Sequence, residues 1–280
     1  MGAAHDVAQV AREALRKRWW IWNLIVLVAV VGMANLGLWQ LRRLDQRRDH
    51  NDAVAAGLAA PPVRATELET KVKVEPAAAF EWRRVSARGS WRGDEQVLVR
   101  NRSLNGLPGV HVVTPLELAD GTLLIVNRGF APVDTPADLL IPPAGDVEIT
   151  GIIRLSQTRG WIGPTDPATG RLDELARVDV DRLAQQIPEP VIEGLYVELI
   201  ADPDAAADPD SADSADSADG ANPGRLPTAV GTTDPDLGDG PHLNYALQWF
   251  AFCIVTLIAY WAILRRSLRT PRPHKTAPAS

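Results

Sequence analysis

His242, Tyr245 and Trp249 stand at i, i+3 and i+7 where a long apolar stretch begins. On a helix this spacing puts all three on one flank. An imidazole there can ligate iron, and two aromatic rings beside it can pack against a flat partner. The same imidazole can instead cap the helix or sit in interfacial water, and the same rings suit a membrane boundary. A helix start adds free backbone N–H groups and the positive end of the dipole, both of which favour anions. Arg42 and Arg43, just past a second apolar stretch, supply guanidinium groups that pair with carboxylates, or simply meet lipid headgroups. Little else points to chemistry. There is no CxxC, no HExxH and no zinc-ligand spacing. Cys253 is the single cysteine, so no intrachain disulfide can form, and its place in an apolar run marks it as packing. No nucleophile–base–acid set appears at short spacing, so a non-enzymatic role is expected. Basic residues interleaved with aromatics are lacking in the middle of the chain, which argues against nucleic-acid binding.

The elements that must position these residues are two apolar blocks. Tyr245–Leu264 is twenty residues without a formal charge; as a helix it covers about 30 Å, the thickness of a bilayer's hydrocarbon core. Trp19–Leu41 is long enough to span as well, too long for a signal peptide, and lacks a cleavage site. Trp19, Trp20, Trp22 and Trp39 at its ends suit the aromatic belts. Asn23 and Asn35 are expected to be solvated or helix-packing groups, and Gln248 to bond across to the first helix or to line a cleft. Arg and Lys crowd both termini, which predicts cytoplasmic ends and an outer middle; Arg42, Arg43, Arg47 and Arg48 run against that rule.

Between the blocks, the formal charge of −6 is sorted by region rather than spread. Residues 42–60 read as a polar helical continuation that stops at Pro61-Pro62, and 63–79 as an irregular connection. Residues 80–200 read as one β-rich domain, an antiparallel sheet or small barrel, in an α+β chain. Its strands are predicted at Glu81–Trp91, Gln96–Asn101, Val110–Leu118, Thr122–Arg128, Val147–Leu155 and Leu195–Ile200, with a hairpin turn at Asp120-Gly121 and a helix near Val180–Ile187. His111 is expected to be a half-exposed strand histidine, and Asn127-Arg128-Gly129 either a buried polar network or a partner surface. Residues 201–240, with three Ser-Ala-Asp repeats from Ser211, read as an acidic disordered linker, closed by Asp239 near the cap of the next helix. The expected division is thus 1–18 tail, 19–41 span, 42–79 extension and connection, 80–200 domain, 201–240 linker, 241–264 span with its entrance, and 265–280 tail.

Four blocks carry a family resemblance: GLWQLRRLDQ from Gly37, FEWRRVSARGSW from Phe80, VLVRNRSLNGLPGVHVVTPLELADGTLLIVNRGFAP from Val97, and GPHLNYALQWFAFCIVTLIAY from Gly240. In this order the chain resembles the SURF1 family, membrane factors for cytochrome c oxidase assembly. The resemblance covers most of the chain except the tails, and the Asp-rich tract looks like an insertion. It implies two transmembrane helices around an extracytoplasmic β-rich domain, in a bacterial plasma membrane. It also implies partnership with the haem-bearing oxidase subunit and other assembly factors, and transient handling of haem a. The family's haem-linked histidine falls on His242. Tyr245 and Trp249 would then face the porphyrin, and Arg42 and Arg43 its propionates. The rival reading is a two-span receptor or structural module whose outer domain binds an envelope or peptide partner without haem.

Overall fold

The computed structural model describes residues 19–200, 227–231 and 235–269. The tails 1–18 and 270–280 and residues 201–226 and 232–234 of the acidic tract lie outside the described residues, and with them most of what was expected of the tails and linker. The chain divides into two compact units, Met1–Asn51 with Leu237–Ser280, and Asp52–Asp236.

The first unit holds most of helix α1 (Trp20–Ala59) and all of the last helix, His242–Arg269. Both are long and apolar enough to cross a membrane, and most of that apolar surface stays exposed, as at Val28 (63%) and Val255 (61%). The core helix of a soluble protein would bury such a surface. The polar continuation past Leu41 is helical as expected and ends just before Pro61-Pro62.

The second unit is an α+β domain built on an eight-stranded sheet. After α1 come β1 (Val63–Arg64) and helix α2 (Ala65–Val72), where the sequence suggested only an irregular connection. Helix α2 forms because Ala65 and Leu68 bury one side while Glu67–Lys71 and Glu69–Lys73 pair at i,i+4 on the other. Strands β2 (Arg84–Trp91), β3 (Val97–Leu104), β4 (Leu107–Leu118), β5 (Leu123–Pro132) and β6 (Asp146–Leu155) follow. The chain then adds β7 (Glu174–Leu175), helix α3 (Val180–Ala184), β8 (Leu195–Leu199) and, closing the structure, α4 (His242–Arg269).

Strand order is β1-β2-β6-β8-β5-β4-β3-β7, and β2 also pairs with β4. That extra pairing closes β2, β6, β8, β5 and β4 into a small barrel. Most pairings are antiparallel as expected; β1–β2, β3–β7 and β5–β8 are parallel. Gly89 makes the closure sterically feasible, since a Cβ there would stand 2.0 Å from the backbone oxygen of Glu117. Strand β5 is buried on both faces. Leu124 and Val126 join one core with Val85, Leu116, Ile153 and Val197. Leu123 and Ile125 join another with Val99, Leu175, Leu183 and Tyr196. The result is an unbroken apolar run rather than an alternating one. A hairpin turn does fall at Asp120-Gly121, but its loop has three residues, Ala119–Gly121, rather than the two expected: the Leu118 N–H donates to Thr122 O and the Gly121 N–H to Leu118 O, both at 2.9 Å, with Gly121 at positive φ.

Asn127-Arg128-Gly129 forms a buried polar network. Arg128 donates to Leu140 O (2.7 Å) and Gln96 Oε1 (3.1 Å) under the face of Trp91, and Asn127 Oδ1 accepts from the Gly129 N–H. Asn127 Nδ2 also donates to Nδ1 of the half-buried His111 at 3.1 Å, a bond only the unprotonated nitrogen can accept. Across β8, Arg154 lies 3.6 Å above the Trp82 ring, between Glu81 and Glu198 at 3.8 and 3.7 Å. Burial pushes the Glu198 carboxyl up. Part of the acidic tract also joins this domain: Thr228 bridges Phe130, and Gly231 bridges Ile200.

Two outcomes follow from the domain. Gly89→Ala must force β2 and β4 apart; we expect a loss of about 1–3 kcal/mol in denaturant unfolding. Gly160→Ala, whose Cβ would meet only one atom, at 3.9 Å, should be neutral. Burial, with the Arg102 charge adding to it, pushes the His111 imidazole down from 6.5 to about 4. Between those values the unfolded chain holds a proton that the folded chain refuses, so stability is full above pH 6.5 and falls as pH drops towards 4. His111→Gln should flatten that decline in a pH series of unfolding curves.

Candidate functional site

The two long helices meet along a seam with heptad spacing. On α1 it runs through Asn23, Val30, Gly37, Leu44 and Asn51; on α4 it runs through Ala246, Cys253 and Tyr260. A seven-residue spacing keeps one face of each helix turned to its neighbour. Apart from Val30 and Leu44 the residues on it are small or polar, as suits helices packing where apolar surface gives no net drive to associate. Gly37 admits the Phe250 ring so closely that a Cβ would stand 2.8 Å from it. Cys253 Sγ lies 3.6 Å from Val30 O, which makes the cysteine a packing residue. Tyr260 donates its hydroxyl to Asn23 Oδ1, while Asn35 turns back to Val31 O on its own helix at 2.8 Å.

At the other end of the seam His242 opens α4, and its Nδ1 lies 2.9 Å from Gln40 Oε1. Among the described residues Nε2 of His242 has no hydrogen-bond partner. It stands beside Gly240, where a Cβ would approach to 3.8 Å. At this end the side-chain bond that crosses to α4 is made by Gln40, whereas Gln248 is exposed. Helix geometry sorts the three residues of the i, i+3, i+7 set. Trp249 lies near the seam two turns, about 10 Å, beyond His242, with its ring edge-to-face on Phe252 at 5.9 Å. Tyr245 lies off the seam and is 49% exposed. Arg42 and Arg43 are exposed just past Gln40, and Arg43 donates to Gln46 Oε1 at 3.1 Å.

The segment entering α4 is held to α1. Arg48 bonds Asp239 at 2.6 Å, Arg47 donates to Gly238 O at 3.2 Å, and Asn51 donates to Leu237 O at 2.7 Å. Asp239 thus pairs with Arg48 rather than serving the helix cap, and that guanidinium holds its carboxyl below the usual range. The first helical turn is closed by the Tyr245 N–H on Pro241 O at 3.1 Å. Gln40 and this clamp escaped the sequence reading. Both signals were present: Gln40 falls on the seam three residues after Gly37, and Arg47, Arg48 and Asn51 recur one and two turns after Leu44.

The sequence model of the SURF1 family matches residues 27–254. An uncharacterized SURF1-like protein of Mycobacterium tuberculosis is 25% identical over 86% of this chain and 80% of its own length. Surfeit locus protein 1 of Xenopus tropicalis is 26% identical over 60% of this chain and 59% of its own. A SURF1-like protein of Rickettsia felis is 24% identical over 88% and 97% respectively.

The clamp gives a direct test. Arg48→Ala and Asn51→Ala should each speed amide hydrogen exchange across residues 237–240. Raising salt to about 1 M should reproduce the first effect and not the second, because only the exposed ion pair is screened.

Proposed function

This chain belongs to the SURF1 family, a family of cytochrome oxidase assembly factors rather than of enzymes, and from that premise we propose that it is a membrane chaperone. In this reading it aids haem a insertion into the haem-bearing subunit of a haem–copper cytochrome c oxidase, or steadies that subunit while the haem enters. It sits in the bacterial plasma membrane with both termini in the cytoplasm and the barrel domain outside, alongside other assembly factors.

The observation that carries the reading is the state of His242. One ring nitrogen is engaged by Gln40, and the other, beside a glycine, has no partner among the described residues. Such an imidazole would hold a haem iron, and neighbouring residues would hold the rest of the group. The first turn of α4 offers backbone N–H groups to propionates. Arg43, one turn after Gln40, would supply a guanidinium partner for the same carboxylates, whereas Arg42, two residues after Gln40, projects from the other side of α1. The exposed Tyr245 ring and Trp249, two turns deeper, would supply aromatic surface. When bound, haem a supplies the redox-active iron that the oxidase subunit needs. The chain's own part is to hold the iron by one nitrogen, keep the propionates at the helix ends and release both to the acceptor.

Purified with haem a synthesis active, the wild type should carry a haem spectrum, and His242→Ala should lose it. Deleting the chain should lower assembled aa3-type oxidase and its haem a absorption while subunit synthesis continues. Complementation with His242→Ala should not restore them. Unchanged haem content in the variant would reject ligation; normal oxidase in the deletion strain would reject the assembly role.

A further inference from the structure

We infer that Gln40 is a positioning residue: it sets the tautomer and ring plane of His242, leaving Nε2 as the iron-ligating nitrogen. The inference rests on the haem-ligand reading above and deepens it. An amide oxygen carries lone pairs and no hydrogen, so the 2.9 Å contact between Gln40 Oε1 and His242 Nδ1 requires the proton on Nδ1. A neutral imidazole has one N–H. The lone pair is then on Nε2, the nitrogen without a partner among the described residues and beside the missing side chain of Gly240. Metal-bound histidines depend on this kind of outer partner, which fixes ring orientation and raises ligand basicity.

Gln40 is itself fixed by its place on the seam. It lies three residues after Gly37, which is pressed under Phe250, and four before Leu44, which is buried at 4% exposure. On the opposite helix, Ala246 is fully buried one turn after His242. Packing on both helices therefore holds donor and acceptor in one register, and the imidazole is oriented before any ligand arrives. A solvated histidine at a helix start would sample both tautomers and several rotamers; this one is held to a single arrangement, which lowers the ordering cost of binding.

The test uses the full chain in lipid nanodiscs with iron protoporphyrin IX as the probe. Without haem, imidazole 15N shifts of His242 should report a proton on Nδ1 in the wild type and a tautomer mixture in Gln40→Leu. With haem, Gln40→Leu should weaken binding by about 10–100-fold and lower the ferrous iron–histidine stretching frequency. Gln40→Glu, a stronger acceptor of the same shape, should restore binding and raise that frequency above the wild type. Asn23→Val breaks the other polar contact of the seam and should change neither, which separates positioning from packing. If His242→Ala loses haem while Gln40→Leu and Gln40→Glu match the wild type in affinity and frequency, the positioning role is overturned and the ligand role stands. If His242→Ala keeps its haem, the ligand role falls and this inference falls with it, whatever the tautomer.

Discussion

The close approach of Gly37 to the Phe250 ring is the contact on which the candidate site depends. A side chain at position 37 would have to displace the Phe250 ring, and the polar pairs along the seam need the separation they have. Hydrogen bonds weaken steeply once donor and acceptor part by more than a few tenths of an ångström. Gln40 reaches His242, and Tyr260 reaches Asn23, only because small residues lie between them. Small residues set the distance at which Gln40 meets His242, and the histidine receives its orientation from that one bond.

The barrel domain rests on a comparable constraint. Five strands close into a ring where β2 crosses to β4 at Gly89, Ser90 and Trp91. Strand β5, flanked by β4 and β8, carries a core on each face. Arg154, stacked on Trp82, leaves its buried Nε and Nη1 without a hydrogen bond among the described residues, whereas the Arg128 network over Trp91 places charge next to those cores with hydrogen-bond partners in reach. Buried guanidinium groups are costly unless so held. A glycine is again the residue that lets two backbones meet, here in a sheet rather than a helix pair.

Much of this was legible in the sequence because the signals were long. Two apolar blocks gave the helices, and the main strands announced themselves by β-branched runs and by one Asp-Gly turn. Boundaries drifted where the tertiary structure decided them. Strand β4 begins at Leu107 and β5 runs on to Pro132 because the two pair with each other, Gly109 opposite Pro132. Strands β1 and β7 are two residues each, and only their neighbours define them. Helix α2 was missed because it is only eight residues long: its apolar positions Ala65, Leu68 and Val72 fall at i, i+3 and i+7, but over two turns, and charge pairing does part of the work. At the site, His242, Tyr245 and Trp249 were visible by type and spacing. Gln40 was not: hydrophobicity marks which residues avoid water, and a seam of Gly, Ala, Cys and Asn is nearly silent on that scale. The heptad spacing through Asn23, Val30, Gly37, Leu44 and Asn51 held the information, but only once residues were weighed by size instead of apolarity.

Polar contacts at both extremities of the helix pair leave it no freedom to slide. Translating α4 by one turn, about 5.4 Å, would break the Asn23–Tyr260 and Gln40–His242 bonds together and drive Phe250 off its glycine. A pair so locked, set in lipid leaflets of different thickness, would lean as one rigid strut, the usual relief for hydrophobic mismatch, while the spacing between the imidazole and its amide stayed constant.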